Sequence, residues 1–136
     1  MQSIFQQKKA QVSLEYMLLL CAFFAMLAFV LPVMIDSTNS FLSSSDVVLA
    51  KRIADEVNEE VSLFSFLADG SSKSFEYFPA KSIIVYSRKT SIVFEANGKE
   101  FLSDFASTQF FPKKEFSSKL SFILKKEGGK VLFEIN

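Results

Sequence analysis

The sequence predicts an α+β fold in which a long N-terminal helix packs on a small antiparallel β-sheet. Three patterns predict it. Residues 16–35 contain no charged side chain, and residues 46–67 carry apolar side chains at three- and four-residue spacing. Beyond Gly70 the apolar residues alternate instead, around two glycine-containing turn sequences. Because a period near 3.6 is typical of a helix and a period of two is typical of a strand, the helical part precedes the sheet.

The charge-free segment is long enough to cross a membrane. Its twenty residues would span about 30 Å as a helix, which is the thickness of the bilayer hydrocarbon. Lys8 and Lys9 precede it, Asp36 follows it, and no basic residue occurs again until Lys51. This bias predicts a cytoplasmic N-terminus and an outward-facing body. The far flank, PVMIDSTNS, has no A-x-A site, so removal as an ordinary secretory signal is not expected.

Glu15 stands at the inner edge of this segment. A carboxylate costs about 2.5 to 3.5 kcal/mol if it is carried to the middle of a bilayer. Two interpretations therefore stay open: Glu15 remains at the interface among headgroups, or it is paired and has a function. Cys21, the single cysteine, lies inside the apolar segment and is interpreted as a small hydrophobic residue.

The composition argues against several classes of function. The 15 basic and 15 acidic residues cancel, so no nucleic-acid partner is expected. With no histidine and one cysteine, the chain cannot build the usual zinc sites or an internal disulfide. No catalytic motif is present, and the acidic pairs Asp55-Glu56 and Glu59-Glu60 fall on the polar side of a helix, which is typical of a solvated face. We expect neither enzyme activity nor a cofactor.

A helical pattern also follows the apolar segment. Pro32 is expected to kink the first helix because it removes one hydrogen-bond donor and crowds the preceding turn. One long helix is expected through this region, and two alternatives stay open at the serine-rich residues 37–45: an interruption of the helix or a flexible neck. Residues 46–67 then form an amphipathic helix, and Gly70 suits the left-handed position that caps its C-terminus. Its apolar face comprises Leu49, Ile53, Val57, Val61 and Phe64.

Residues 82–87 and 91–96 are predicted to be strands, and the second of them forms the first arm of the first predicted hairpin. Asn97 and Gly98 form a favoured type I′ turn that leads from the second of these strands into a third. With a two-residue turn, Phe94 lies opposite Phe101 and Glu95 lies opposite Glu100. The two facing carboxylates are expected to repel each other mildly if both are exposed.

The second predicted hairpin turns at Gly128 and Gly129, with Glu127 opposite Lys130. One apolar face per hairpin predicts a sheet of four or five strands covered by the amphipathic helix. The sequence between the hairpins, ASTQFFPKKEFSSK, is expected to be a loop. Its Phe110 and Phe111 are expected to fill the core.

The sequence KKAQVSLEY, residues 8–16, resembles the processing site of archaeal type IV pilin-like proteins, which carry a class III signal peptide. In that family a membrane aspartic peptidase removes a short basic leader on the cytoplasmic side, and the apolar segment stays on the mature protein. The resemblance implies a cut between Ala10 and Gln11, with Lys8 and Lys9 presenting the site. Ala10 stands where many type IV prepilins have glycine, and small residues suit a peptidase cleft.

The same resemblance implies roles for two further residues. Glu15 would be the fifth residue of the trimmed chain, where pilins carry a glutamate that meets the N-terminal amine of a neighbouring subunit. Pro32 matches a position where bacterial pilins often have a proline. The implied partners are copies of this chain or related pilins, the class III signal peptidase, and a pilus assembly platform with its ATPase. The implied fold is type IV pilin-like.

These inferences divide the chain into three parts. They are a cleavable leader, residues 1–10; a transmembrane and assembly helix, residues 11–35; and an extracellular head, residues 36–136, with a helix over 46–68 and a sheet over 74–136. The expected function is that of a structural subunit of an archaeal surface filament, held in the cytoplasmic membrane before assembly. A major subunit, a minor subunit and an archaellin stay open, although the lack of an Asn-x-Ser/Thr sequon favours a minor one. The alternative is a single-pass membrane-anchored extracytoplasmic binding protein.

Overall fold

A computed structural model describes the backbone of residues 2–104 and 110–135, and the side chains from residue 13 onward within those ranges. The chain divides into two compact units, Met1–Asn39 and Ser40–Asn136, and we call the second unit the head. Within the described ranges the elements are α1 Gln2–Phe64, β1 Ser72–Tyr77, β2 Ile83–Arg88, β3 Ser91–Ala96, β4 Lys99–Asp104, β5 Lys114–Phe116, β6 Leu120–Glu127 and β7 Lys130–Ile135.

The helix α1 runs without a break from Gln2 to Phe64, which confirms the expected long helix and shows no interruption over residues 37–45. One hydroxyl in this part of the helix is satisfied locally, because Thr38 Oγ1 donates a hydrogen bond to the carbonyl oxygen of Met34 at 2.8 Å. Such a bond satisfies the hydroxyl within the helix itself. Pro32 lies inside the helix, and the kink expected there stays a prediction.

The predicted apolar face of the amphipathic segment is confirmed. Ile53, Val57 and Phe64 are buried, and Leu49 and Val61 pack against the same core. The expected α+β arrangement, with a helix packed on antiparallel strands, is therefore present in the head.

The sheet prediction was incomplete. The seven strands of the described ranges form two antiparallel sheets, with strand orders β1-β6-β7 and β4-β3-β2-β5, rather than one sheet of four or five strands. The strand β1 was not predicted from the sequence, because Phe75 is its only buried side chain and no alternation of apolar residues marks it. Its partner is β6, with Tyr77 opposite Leu120, and no local turn signals a pairing between residues so far apart in sequence.

Both predicted hairpin registers are confirmed. Phe94 faces Phe101 across the β3–β4 hairpin. Its turn residues Asn97 and Gly98 both have positive φ, as a type I′ turn requires. In the β6–β7 hairpin Glu127 faces Lys130.

The core of the head is rich in aromatic side chains. Phe122 is its centre, with its ring centroid 4.7 Å from that of Phe133 and 5.0 Å from that of Phe75. Phe94, from the four-stranded sheet, lies 6.4 Å from Phe122 and joins the two sheets. Contacts between offset or tilted rings add to the free energy of apolar burial.

The predicted loop between the hairpins contains the short strand β5, which pairs with β2 so that Phe116 faces Ile83. The part of this stretch before Phe110 lies outside the described residues. Phe111 stacks on Phe133 at 5.7 Å, as expected of a core side chain. The same expectation for Phe110 is wrong, because its side chain is 83% exposed.

Gly70 does not cap α1. The helix ends at Phe64, and although Gly70 has φ of 93°, its N–H donates to the carbonyl oxygen of Lys126 at 2.8 Å. The turn after the helix is held by Lys126 instead, whose ammonium donates to the carbonyl oxygens of Ser65 at 3.0 Å and Leu67 at 2.6 Å. A lysine from a distant strand thus replaces the local glycine cap that the sequence predicts.

Candidate membrane and assembly helix

The first part of α1 presents apolar side chains in every direction. Met17, Leu18, Leu19 and Leu20 are each more than half exposed, and successive helical positions point about 100° apart. Phe29 is 80% exposed. A helix with one apolar stripe suits the surface of a globular core, whereas a helix that is apolar on all sides suits lipid or a surround of other helices.

Length and composition point the same way. Ser13–Phe64 is the helix in the described residues that is long and apolar enough to cross a membrane, with mean hydropathy 2.8 in its candidate window and none of that window buried. A membrane anchor and a signal sequence both meet this test. The large exposed area of Leu, Phe and Met side chains is unfavourable in water, at roughly 25 cal/mol per Å².

The residues of the predicted processing site lie in the first turns of α1. Lys8, Lys9, Ala10 and Gln11 are helical, and their side chains are outside the described set. Glu15 is exposed and lies four residues after Gln11. Residues four apart lie on the same side of a helix, so α1 brings Gln11 and Glu15 to one face. The cut between Ala10 and Gln11 stays a prediction.

The connection between β1 and β2 is tied to α1 by Asp46, a residue that sequence reasoning missed. Asp46 is 2% exposed. Its carboxylate accepts hydrogen bonds from the backbone N–H groups of Ala80 at 2.6 Å, Lys81 at 2.7 Å and Ser82 at 3.1 Å. Three donors satisfy a buried carboxylate that would otherwise destabilise the fold. The position of Asp46, seven residues before Ile53 on the apolar face, was the available signal.

The acidic side of α1 also contacts the sheet, which corrects the expectation of a fully solvated face. Asp55 and Glu59 are exposed as expected. Glu56 instead accepts a hydrogen bond from the Tyr77 hydroxyl at 2.7 Å, and Glu60 forms an ion pair with Lys73. Burial, and then the bond to Glu56, raise the pKa of Tyr77 well above its usual range.

A second polar anchor joins α1 to the end of β4. Asn58 Oδ1 accepts hydrogen bonds from Ser103 Oγ at 2.9 Å and from the backbone N–H of Asp104 at 3.0 Å. These contacts, like those of Asp46, Glu56 and Glu60, hold the strands on the helix.

Two open grooves occur on the described surface of the head. One, of about 300 Å³, has Phe110, Phe111, Pro112, Phe133 and Ile135 among its lining residues, with Lys114 and Glu134 as its charged members. The other, of about 420 Å³, lies on α1 between Phe41, Ser44, Ser45, Val48, Leu49 and Arg52. Within the described residues there is no cluster of three His, Cys, Asp or Glu side chains that could hold a metal ion.

Comparison with protein-family models, with curated proteins and with solved structures gave no match.

Proposed function

We propose that this chain is a structural subunit of an archaeal type IV pilus-like surface filament, which assembles by packing of its N-terminal helices after removal of a short leader. The observation that carries the proposal is the all-round exposure of apolar side chains on α1 before residue 36, in a chain whose head has a complete core of its own. The resemblance of KKAQVSLEY to a class III processing site supplies the family.

The core of the head does not need the apolar segment. Val47 is the first residue that packs against the core, and Ala50 is the first apolar residue buried in it. The twenty charge-free residues therefore contribute nothing to the described core. Because so large an exposed apolar surface lowers the solubility of a protein, they are not explained by the needs of the head alone. Their role lies in contacts outside the subunit.

Lipid and other helices are the two environments that suit such a segment. In a bilayer, lipid tails cover the apolar side chains, and in a filament the helices of neighbouring copies cover the same surface. One segment then acts first as an anchor and afterwards as the filament core. Removal of the leader, residence in the cytoplasmic membrane before assembly, and the assembly platform with its ATPase are expectations that come with the resemblance.

Glu15 supplies a means of alignment between copies. After the predicted cut, Gln11 carries a new amino group one helical turn from the Glu15 carboxylate. Pairing the amine of one subunit with Glu15 of its neighbour offsets the desolvation of both charges. Because the two groups stand at one end of an apolar rod, their pairing would also fix the axial register of adjacent helices.

A single-pass anchored binding protein is the second candidate. The groove beside Phe111 and Phe133 favours it, because aromatic walls with a few charged groups are common in ligand sites. Its volume of about 300 Å³ lies at the lower end of that class, and the groove is open. The filament proposal accounts for the α1 surface, which this alternative leaves as a simple anchor.

The test begins with the N-terminus of the mature protein, measured by mass spectrometry on membranes and on sheared surface material. The expected N-terminal residue is Gln11. Ala10→Phe should block the cut because a bulky side chain does not fit a cleft for small residues, whereas the matched change Gln7→Phe should not. Immunogold labelling of sheared filaments should show this chain along the shaft or at the tip. Full-length chains that stay in the membrane and label no filament would contradict the proposal and favour the anchored binding protein.

A further inference from the structure

The turn that follows α1, residues 65–71, presents an apolar side chain to solvent. Phe66 is 88% exposed, and its neighbour Leu67 is about half exposed. The ammonium of Lys126 donates hydrogen bonds to the carbonyl oxygens of Ser65 and Leu67, the residues on either side of Phe66. Because the backbone is bonded on both sides of it, Phe66 is held at the surface by the fold of the head.

The same turn is fastened to the β6–β7 hairpin. The N–H of Gly70 donates to the carbonyl oxygen of Lys126 at 2.8 Å. The N–H of Gly129, in the turn between the two strands, donates to Asp69 Oδ1 at 3.1 Å. These bonds fix Phe66 near the point where β7 begins.

The groove beside Phe111 and Phe133, which we call the aromatic groove, lies farther along β7. It has a volume of about 300 Å³ and lies between the segment before β5 and the end of β7. Phe133 follows Gly129 by four residues, and a strand rises about 3.4 Å per residue, so the groove is about 13 Å from the fastened turn. The exposed Phe66 does not fill the groove of its own copy.

The aromatic groove suits a ring from another molecule. Phe110 is 83% exposed at one wall, and Phe111 stacks on Phe133 at 5.7 Å. Aromatic rings pack favourably on one another in offset or edge-to-face arrangements. The volume lies at the lower end of the range for ligand pockets, which suits a group as small as one side chain.

The exposed charges at the aromatic groove are predominantly basic. Lys114 and Glu134 line it. Lys89 is exposed just beyond the end of β2, where Phe111 bonds to that strand. Other cations of this region are held in ion pairs with glutamates of β3 and β4. Glu115 lies on the other side of β5 from Lys114, since neighbouring residues of a strand point to opposite faces.

The exposed charges near Phe66 are predominantly acidic. Asp69 is exposed in the same turn, and Glu59 is exposed seven residues before Phe66. Lys130, at the start of β7, adds an exposed base. Lysines of β1 and β6 are held in ion pairs with glutamates. The Phe66 turn and the aromatic groove are therefore complementary in charge as well as in shape.

We propose that Phe66 of one copy of this chain inserts into the aromatic groove of a second copy, with Asp69 of the first beside Lys114 of the second. The two surfaces differ, so the contact is heterologous, and each copy keeps a groove or a Phe66 for a further copy. Contacts of this kind build open chains or closed rings. The opposite charges favour this pairing over contacts between like surfaces.

The contact is small. An aromatic side chain buries about 150 to 250 Å², far less than the roughly 1,200 Å² of a stable interface. It therefore operates where another interaction already holds the copies together and raises their effective concentration. The inference goes beyond the proposed function: it adds a contact between heads, and it applies equally to filaments and to copies anchored side by side in a membrane.

Cross-linking between two cysteine variants of the full-length protein, reconstituted in phosphatidylcholine vesicles, tests the contact. Both variants carry Cys21→Ala, which removes the single cysteine. One has Leu67→Cys, beside Phe66. The other has Pro112→Cys in the groove wall and is labelled with nitrogen-15, so that mass spectrometry distinguishes the two copies. A short bis-maleimide joins cysteines that lie close together.

The expected product is a dimer with one copy of each variant, whereas either variant alone should give little dimer. Adding Phe66→Ala to the Leu67→Cys copy should lower the yield about tenfold, because the anchor of the contact is lost. Phe78→Ala is the matched control. It removes a phenylalanine that is 68% exposed and lies outside both surfaces, so the yield should not change.

A charge exchange separates the contact from the structural role of Asp69, which also accepts the N–H of Gly129. Asp69→Lys in the Leu67→Cys copy should reduce cross-linking, and Lys114→Asp in the other copy should restore it, because opposite charges then face each other again. A damaged turn in the first copy would not be repaired by a substitution in the second.

Three results would overturn the inference. Dimers that form equally well within one variant would indicate a symmetric or random contact. A yield unchanged by Phe66→Ala would show that crowding alone brings the cysteines together. If mixed dimers are absent although both cysteines react with a simple maleimide, the heads do not meet in this way. The filament proposal is not affected by that result, because the mature N-terminus and the labelling of filaments test it separately.

A different occupant of the aromatic groove would be recognised in the same vesicles. The apolar dye 1-anilinonaphthalene-8-sulfonate is added, and its fluorescence is compared between the unmodified chain and Phe110→Ala. Dye binding that depends on Phe110, together with the absence of mixed dimers, would overturn the inference and assign the groove to a small apolar ligand.

Discussion

Glu95 on β3 and Glu100 on β4 lie directly opposite each other, yet each carboxylate has a cation of its own. Glu95 pairs with Lys113 at 2.8 Å, and Glu100 pairs with Arg88 at 3.2 Å. The hydroxyl of Tyr86 also donates to Glu100 at 2.7 Å. The repulsion expected from two facing glutamates is thus offset by side chains from β2 and from the segment before β5.

The bond from Tyr86, followed by the attraction of Arg88, holds the pKa of Glu100 below its usual range. A carboxyl whose pKa is lower in the folded state stabilises the fold above its unfolded pKa, and this contribution is lost as the pH falls through the folded pKa. We predict that Tyr86→Phe raises the pKa of Glu100 toward the ordinary value. Carbon-13 NMR of the glutamate carboxyl groups measures it, and Tyr77→Phe, which removes a hydroxyl from Glu56 instead, is the control. An unchanged pKa in Tyr86→Phe would contradict the assignment.

Asp46→Ala should destabilise the head. The substitution leaves the part-buried N–H groups of Ala80, Lys81 and Ser82 without their acceptor, and we expect a loss of about 2 kcal/mol in the free energy of unfolding. Denaturant unfolding of the detergent-solubilised protein measures the change. Asp55→Ala, which removes an exposed acid nine residues further along α1, should change it by less than about 0.5 kcal/mol. Equal effects of the two substitutions would argue against a special role for Asp46.

Lys126→Met should loosen the turn that follows α1. The methionine keeps most of the apolar stem but removes the two donors to the carbonyl oxygens of Ser65 and Leu67, at an expected cost of about 2 kcal/mol. Hydrogen exchange at the amide of Gly70, which bonds to the backbone of residue 126, should become faster. The exposed neighbour Lys125→Met provides the control, and unchanged protection of the Gly70 amide would show that the turn holds without the ammonium.

Glu15→Ala should leave membrane insertion intact but reduce incorporation into filaments. Removing the carboxylate makes the segment more apolar, so its insertion into the membrane becomes more favourable. The same change removes the predicted partner of the new N-terminal amine. Membrane fractionation and the yield and length of sheared filaments are the measurements. Asp36→Ala removes the charge at the other end of the apolar segment and should leave assembly normal. Filaments of normal number and length from Glu15→Ala would rule out the pairing role.

Local patterns predicted much of the head. The registers of Phe94 with Phe101 and of Glu127 with Lys130 follow from two-residue turns, because such a turn leaves the flanking strands one possible alignment. The buried face of α1 follows from helical periodicity in the same way. These predictions involve residues close in sequence, for which the geometry of the turn or of the helix determines which side chains are neighbours.

Long-range pairings were not predictable in this way. The union of β1 with β6, which splits the strands into two sheets, depends on Phe75 meeting Phe122 in the core. Phe110 and Phe111 are adjacent and equally apolar, yet Phe111 stacks on Phe133 whereas Phe110 is 83% exposed. The interruption that the serines left open does not occur, because helix propensity is a weak preference that a continuous hydrogen-bonded helix overrides.

By itself, the sequence determined the apolar segment, its charge bias, the resemblance of the residues around Gln11 to a processing site and the alternation of the strands, since each is a property of neighbouring residues. Only the tertiary structure decided that Asp46 and Lys126 are buried and which backbone groups they bind. A carboxylate or an ammonium is stable in a protein interior when donors or acceptors converge on it, and here those groups come from segments far away in the chain. No local pattern records such a convergence.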